Sequence, residues 1–178
     1  MDWELIRRLA GKYDVAEICL NGHIITTTAI GRPERRLPFC RDCGTETVHE
    51  CASCHRPIQG SYWSDSAADP YPVDDVKPRG TVVAPAFCHG CGTAYPWTQA
   101  KVRALHDLAM ELEGLEPNER ESLVASFPDL IADKPQTPVA ASQVKRLLGK
   151  AGQGAGSLIG KLVIDLVTEA AKKIIFSQ

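Results

Sequence analysis

Three Cys-x-x-Cys pairs, Cys40/Cys43, Cys51/Cys54 and Cys88/Cys91, follow a seventh cysteine, Cys19, which opens the segment Cys19-Leu20-Asn21-Gly22-His23. Nothing else in the chain restricts its fold as strongly. Two-residue spacing places both sulfurs of a knuckle on one ion, and thiolate and imidazole are the ligands that tetrahedral Zn²⁺ prefers. Three knuckles leave two closed sites one pair short. The Asn21-Gly22 turn supplies it by folding Cys19 and His23 toward a common point. Eight ligands then divide into two sets of four.

In the sequential division, Cys19, His23, Cys40 and Cys43 hold one zinc ion, and Cys51, Cys54, Cys88 and Cys91 hold the other. A cross-braced division would join the first knuckle with the third. The sequential one is preferred because Phe39-Cys40-x-x-Cys43-Gly44 and Phe87-Cys88-x-x-Cys91-Gly92 look alike, each the second knuckle of its own ribbon. The glycine after the second cysteine permits the tight turn that aims backbone N–H groups at sulfur. Two other assignments stand beside this one. Cys19 as a core thiol with His23 at the surface would leave a single Cys₄ site and a spare pair. His55, directly after Cys54, could replace one ligand. His49, His89 and His106 read as solvated or as neighbours of ligands.

The compartment bears on the chemistry. Met1-Asp2-Trp3-Glu4 opens acidic, Arg7 and Arg8 interrupt any apolar run, and no stretch of 18 apolar residues exists. Neither a signal peptide nor a spanning helix is expected, which makes the chain cytoplasmic. Thiols stay reduced there, so the cysteines point to metal or catalysis rather than disulfides. A rubredoxin-type iron site fits the second set in ligand type, though the 64–79 loop does not suit that compact fold. A thioredoxin-like pair would sit at a helix start in a βαβ context, and no pair here does. Catalytic zinc keeps an open position, whereas both sets are full. A deaminase would need Glu beside its ligand His, but Ile24 and Ile25 follow His23. No phosphate loop or nucleophile elbow appears. No catalytic constellation and no small-molecule substrate is identified.

The organisation is α+β: a small zinc-stabilised β domain, the double zinc ribbon, over residues 1–97, then a helical region over 98–178. A short helix is expected over 2–12, a strand over 15–20 and a β-branched run over 24–30, with shorter strands at 46–48, 58–63 and 82–83. Residues 64–79 are rich in Asp, Pro and Ser and read as a loop. From Thr98 the period becomes helical, through Val102, Leu105, Leu108, Leu112 and Leu115. Pro117 suits the start of a second helix that Pro128 ends or kinks, and Thr137-Pro138 starts a third. Residues 149–156 form a glycine-rich break. A last helix is expected over 158–176, with Ser157 as its cap.

Its wide apolar arc, including Leu158, Leu162, Leu166, Val167, Ala170, Ile174 and Ile175, needs cover: a bundle within the chain, an oligomer or partner, or a membrane surface. Tyr62, Trp63, Tyr71 and Trp97 are candidates either to cover the knuckles or to form a recognition surface.

Formal net charge is -2. From Met1 to Trp97 there are 10 Lys+Arg against 12 Asp+Glu, also -2. A Cys₃His zinc site adds -1 and a Cys₄ site -2, which brings the loaded domain near -5. That disfavours general nucleic-acid binding. Arg32, Arg35, Arg36 and Arg41 form a local basic patch, or a solvated loop with Glu34 and Asp42 as partners.

With these motifs the chain resembles an uncharacterised bacterial family, a domain of unknown function. The matching pieces are Cys19-Leu-Asn-Gly-His23, Phe39-Cys-Arg-Asp-Cys-Gly44, Cys51-Ala-Ser-Cys54 with Pro57-Ile58 and Gly60, and Phe87-Cys-His-Gly-Cys-Gly92 with Tyr95-Pro-Trp-Thr98. The helical tail, ending over 165–173, is similar too. The resemblance implies a bacterial double zinc ribbon with a helical tail, and no activity. The expected function is a zinc-binding, non-enzymatic adaptor acting through a protein partner or self-association. Nucleic-acid binding through the 32–41 patch, or membrane or oligomer contact through the last helix, are the alternatives.

Overall fold

The computed structural model describes residues 13–62, 83–132, 134–151 and 167–176. The expected 2–12 helix and 64–79 loop, Trp63, Tyr71 and the glycine-rich stretch beyond Ala151 lie outside them. The chain divides into two compact units, Met1–Trp97 and Thr98–Gln178. The architecture is α+β: among the described residues there are small antiparallel sheets, two cysteine clusters of zinc-ribbon type, and four helices.

The first unit contains β1 (Tyr13–Val15), β2 (Glu17–Cys19), β3 (Ile24–Thr26), a 3₁₀ turn (Pro33–Arg35), β4 (Thr47–Val48) and β5 (Gln59–Tyr62). β1 pairs with β5, and a separate sheet has the order β3-β2-β4, all antiparallel. The single strand expected over 15–20 is therefore broken at Ala16. Its amide leaves both ladders and donates to Ile58 O at 2.8 Å. The run expected over 24–30 stops at Thr26. The Thr26 hydroxyl accepts the Thr28 amide at 3.1 Å, and buried Asp14 accepts the Ile30 and Gly31 amides at 2.9 and 3.0 Å. Side-chain acceptors thus outbid a sheet partner for these amides. Val83 is not in a strand.

Buried Glu17 anchors the basic loop, accepting from Arg36 Nε and from the Leu37 amide at 2.8 Å. Arg36 is held by Glu17, in addition to any contact with Glu34 or Asp42. Ala16, Ile18, Ile58, Tyr95 and Trp97 form the core of this unit together with Cys51 and Cys88. Trp97, a candidate for an exposed recognition aromatic, is 2% exposed.

The helices are α1 (Pro96–Met110), α2 (Pro117–Ile131), α3 (Thr137–Ala151) and α4 (Glu169–Ile175). Leu105, Ala109, Leu112, Leu123, Phe127, Leu130, Val144, Leu147, Val167 and Ala171 share one apolar core, and α3 packs on both α2 and α4. Pro128 does not end α2, which runs three residues further. A helix-interior proline costs about 3 kcal/mol. Burying Leu130 and Ile131 beyond it returns about 1.5–3 kcal/mol each.

Thr137 does not cap α3. It is fully buried, and its hydroxyl lies 2.7 Å from Asp129 O and 2.9 Å from Ala132 O, tying α3 to the end of α2. Residues 158–166 of the expected last helix lie outside the described residues, and Val167 and Thr168 are not helical. A new helix starts after Thr168, whose hydroxyl accepts the Ala171 amide at 3.3 Å and whose own amide donates to Leu130 O at 3.0 Å. Among the described residues no helix is long and apolar enough to cross a membrane.

Candidate metal centres

The three Cys-x-x-Cys pairs share one backbone design. In each, the residue after the second cysteine returns its amide to the first cysteine's carbonyl at 2.8 Å: Gly44 to Cys40, His55 to Cys51, Gly92 to Cys88. All three of those residues have positive φ, at 69°, 57° and 72°. The first cysteine's amide is bound by the carbonyl of Thr45, Arg56 or Thr93 at 2.8–2.9 Å. One isolated bridge then closes each hairpin: Phe39 to Glu46, Glu50 to Pro57, Phe87 to Ala94. The fourth pair rides on the β2–β3 turn. The Cys19 amide donates to His23 O at 3.0 Å, and Gly22 takes φ 89°.

These hairpins bring the eight residues into two sets, Cys19/His23/Cys40/Cys43 and Cys51/Cys54/Cys88/Cys91, with donor atoms in each within 4.8 Å of one another. The grouping is the sequential one. Every pair contributes one buried and one exposed donor residue. In the first set Cys19 Sγ lies 3.7 Å from Cys43 Sγ, and His23 Nδ1 lies 3.6 Å from the sulfurs of both Cys19 and Cys40. In the second, Cys51–Cys91 and Cys54–Cys88 stand at 3.8 and 3.7 Å. A tetrahedral ion with bonds of about 2.3 Å to sulfur and 2.0–2.1 Å to nitrogen has edges of about 3.8 Å (S···S) and 3.6 Å (S···N). The donor sets fit such an ion. All seven cysteines are free thiols.

Electrostatics agree. The Thr45 hydroxyl, 3.1 Å from Cys43 Sγ, is the main cause that lowers that thiol to about 5, and Asn21 Nδ2 donates to the same hydroxyl at 2.9 Å. Thr93 stands 3.3 Å from Cys91 Sγ and lowers it likewise. Cys54 goes the other way. The Arg56 amide lowers its thiol, but Cys91, burial, Cys88 and Cys51 together push it up to about 12. Four thiols in one such cluster cannot all ionise without a cation among them. Burial, then the neighbouring Cys88 sulfur, raises the phenol of Tyr95.

The other histidines stand outside both sets. His55 is exposed and its Nδ1 lies 3.0 Å from Glu50 Oε1; His106 faces Asp107. Half-buried His49 has its pKa lowered by burial and then by Arg36. Thr45 and Thr93 are the site residues that ligand spacing does not reveal, although a signal exists: Cys-Gly-Thr occurs at both 43–45 and 91–93.

The chain belongs to a family of uncharacterized proteins conserved in bacteria (DUF2321), whose model matches residues 12–175. No curated protein and no solved structure matches it.

Proposed function

We propose that both sets bind structural Zn²⁺ and that the protein is a non-enzymatic adaptor working through protein–protein contacts. Donor spacing carries the reading: each set offers four strong ligands along tetrahedral edges, which fills zinc and leaves no position for water or substrate. When bound, the ion supplies positive charge and a cross-link. The chain's own Thr45 and Thr93 hydroxyls keep the exposed sulfurs of Cys43 and Cys91 ready to ligate. With coordination closed, the work falls to exposed surface. Phe39 and Phe87, just before the first cysteine of equivalent knuckles, are 61% and 39% exposed. Aromatic side chains on rigid supports are typical of protein interfaces. The nucleic-acid alternative is less well supported, because Arg36 is committed to Glu17. The membrane alternative is weakened by the inward placement of Val167, Ala171 and Ile175.

Metal analysis of the purified chain should give two zinc ions; one ion would refute the Cys19/His23 assignment, and a red protein would indicate iron. Cross-linking in the native cell should then recover a protein partner that Phe39→Ser with Phe87→Ser loses. Salt-dependent binding of DNA or RNA, or flotation with anionic liposomes, would overturn the adaptor reading.

A further inference from the structure

The two metal centres are built from consecutive hairpins, yet one aromatic side chain joins them. Trp97 follows the last ligand, Cys91, by six residues. Its indole lies on the turn of the other centre: a Cβ on Gly22, which sits between ligands Cys19 and His23, would be 3.1 Å from Trp97 Cβ and 3.2 Å from its Cγ. Trp97 also stacks on Tyr95, with ring centroids 4.6 Å apart and planes at 15°. Tyr95 in turn lies in the same buried core as Cys88. The indole is fixed in this position by donating Nε1–H to Pro85 O at 2.8 Å. A packed path thus runs from the core around Cys88 in the Cys₄ set, through Tyr95 and Trp97, to the turn that presents Cys19 and His23.

Packing reinforces it. Trp97 and Tyr95 share one apolar core with Cys51, Cys88 and Ile18, the residue before Cys19. Among the described residues that core is small, so ordering one end places the other. When a metal orders the Cys₄ hairpins, it also orders the core that Cys51 and Cys88 share with Tyr95, and hence the Trp97 ring. The ring then holds Gly22 in its left-handed turn, which lowers the ordering cost of the Cys₃His set. Sites that share an ordering cost bind cooperatively.

We infer that the two centres load cooperatively, with Trp97 as the coupling residue: metal in the Cys₄ set raises the affinity of the Cys₃His set, and by reciprocity the reverse. This rests on the zinc reading above. The test is native mass spectrometry of the reduced, metal-free full chain with limiting zinc. Independent sites would leave about half of the chains or more with one ion at half-saturation. Cooperative loading predicts mainly metal-free and two-ion chains.

Disabling the Cys₄ set with Cys54→Ser and Cys91→Ser should lower zinc affinity at the Cys₃His set by about tenfold, within the usual range for coupled sites. Trp97→Phe should keep that factor and Trp97→Ala should abolish it while still binding two ions at saturation. If Trp97→Ala takes up no zinc, Tyr95→Ala decides instead. It leaves the indole over Gly22 but removes the ring stacked on it from the core shared with Cys88, and should remove most of the factor. Statistical loading of the native chain, or a factor unchanged in the Trp97 or Tyr95 variant, overturns the coupling alone. Failure of the native chain to bind zinc at saturation overturns the zinc reading itself.

Discussion

Gly60 offers the sharpest test of how the first unit is assembled. A methyl group there would lie 2.1 Å from Thr27 O, 2.8 Å from Val15 C and 2.9 Å from Ala16 N. All three are backbone atoms, so no rotamer change relieves the overlap. Overpacking of this kind typically costs about 1–3 kcal/mol, and backbone on three sides puts Gly60→Ala at the top of that range. Moving β5 away also strains two hydrogen bonds at this junction, Ser61 N to Thr27 O and Ala16 N to Ile58 O, both 2.8 Å. Each is worth about 1 kcal/mol, giving a total near 5 kcal/mol.

At about 4–8 °C per kcal/mol for a unit of this size, the zinc-saturated melting temperature should fall by at least about 20 °C. Gly90→Ala is the matched control. Its methyl would approach Arg56 Cδ and Nε at 2.5 Å, but that is the movable end of a long side chain, so the loss should stay under about 1 kcal/mol. Thermal unfolding of both variants followed by tryptophan fluorescence decides the matter. If Gly60→Ala melts within about 5 °C of the parent, the close approach of β5 to the β1–β2 junction is wrong.

Arg36→Ala should cost about 2 kcal/mol or more in chemical denaturation, because it leaves the nearly inaccessible Glu17 carboxylate with only the Leu37 amide; Arg41→Ala, at an exposed position, should cost almost nothing. Thr45→Val removes the main cause that holds the Cys43 thiol low. A thiol with a depressed pKa stays a thiolate until the pH falls through that value, so the variant should release metal at a higher pH on acidification, read with a chromophoric chelator. His55→Gly relieves a left-handed residue at about 1 kcal/mol and should still bind two ions; loss of one would make His55 a ligand after all.

The two candidate donor sets were legible because the spacing that brings such donors together is local. Two-residue spacing, the Asn-Gly turn and the repeated Phe-Cys-x-x-Cys-Gly pattern each sit within a few residues. The helical period from Val102 to Leu115 is local in the same sense. What escaped is set by partners far along the chain. Ala16 breaks its strand because Ile58 offers a carbonyl, and Arg36 leaves the surface patch because Glu17 is buried beneath it. Trp97 is buried because Gly22, 75 positions earlier, leaves room for it. Local preference also lost where burial competed: Pro128 stays inside α2, and Thr137 turns its hydroxyl away from its own helix. In the last helical stretch, the apolar arc concealed a start at Thr168, whose hydroxyl caps Ala171 and whose amide bonds the distant Leu130 O.

The two units differ in what can stabilise them, and this gives a last prediction. Among its described residues the apolar core of the first is short: Ala16, Ile18, Ile58, Tyr95 and Trp97, with Cys51 and Cys88 as members that also belong to the proposed donor set. So small a core supplies only a few kcal/mol against the entropy of ordering its hairpins. The zinc-binding free energy of about 10–16 kcal/mol known for small Cys/His sites would dominate. The helical unit contains no metal cluster among its described residues, and its core runs from Leu105 to Ile175 without a cysteine.

Removing metal from the full chain with a high-affinity chelator at neutral pH, under reducing conditions, should therefore unfold the first unit and spare the second. Far-UV circular dichroism should keep most of its helical signal, while tryptophan emission shifts red as Trp97 enters water. Amide exchange should lose protection at Cys40, Cys51 and Cys88 and keep it at Leu123, Phe127 and Val144. Retention of hairpin protection without metal would show that the apolar core suffices. Loss of the helical signal would show that the second unit depends on the first.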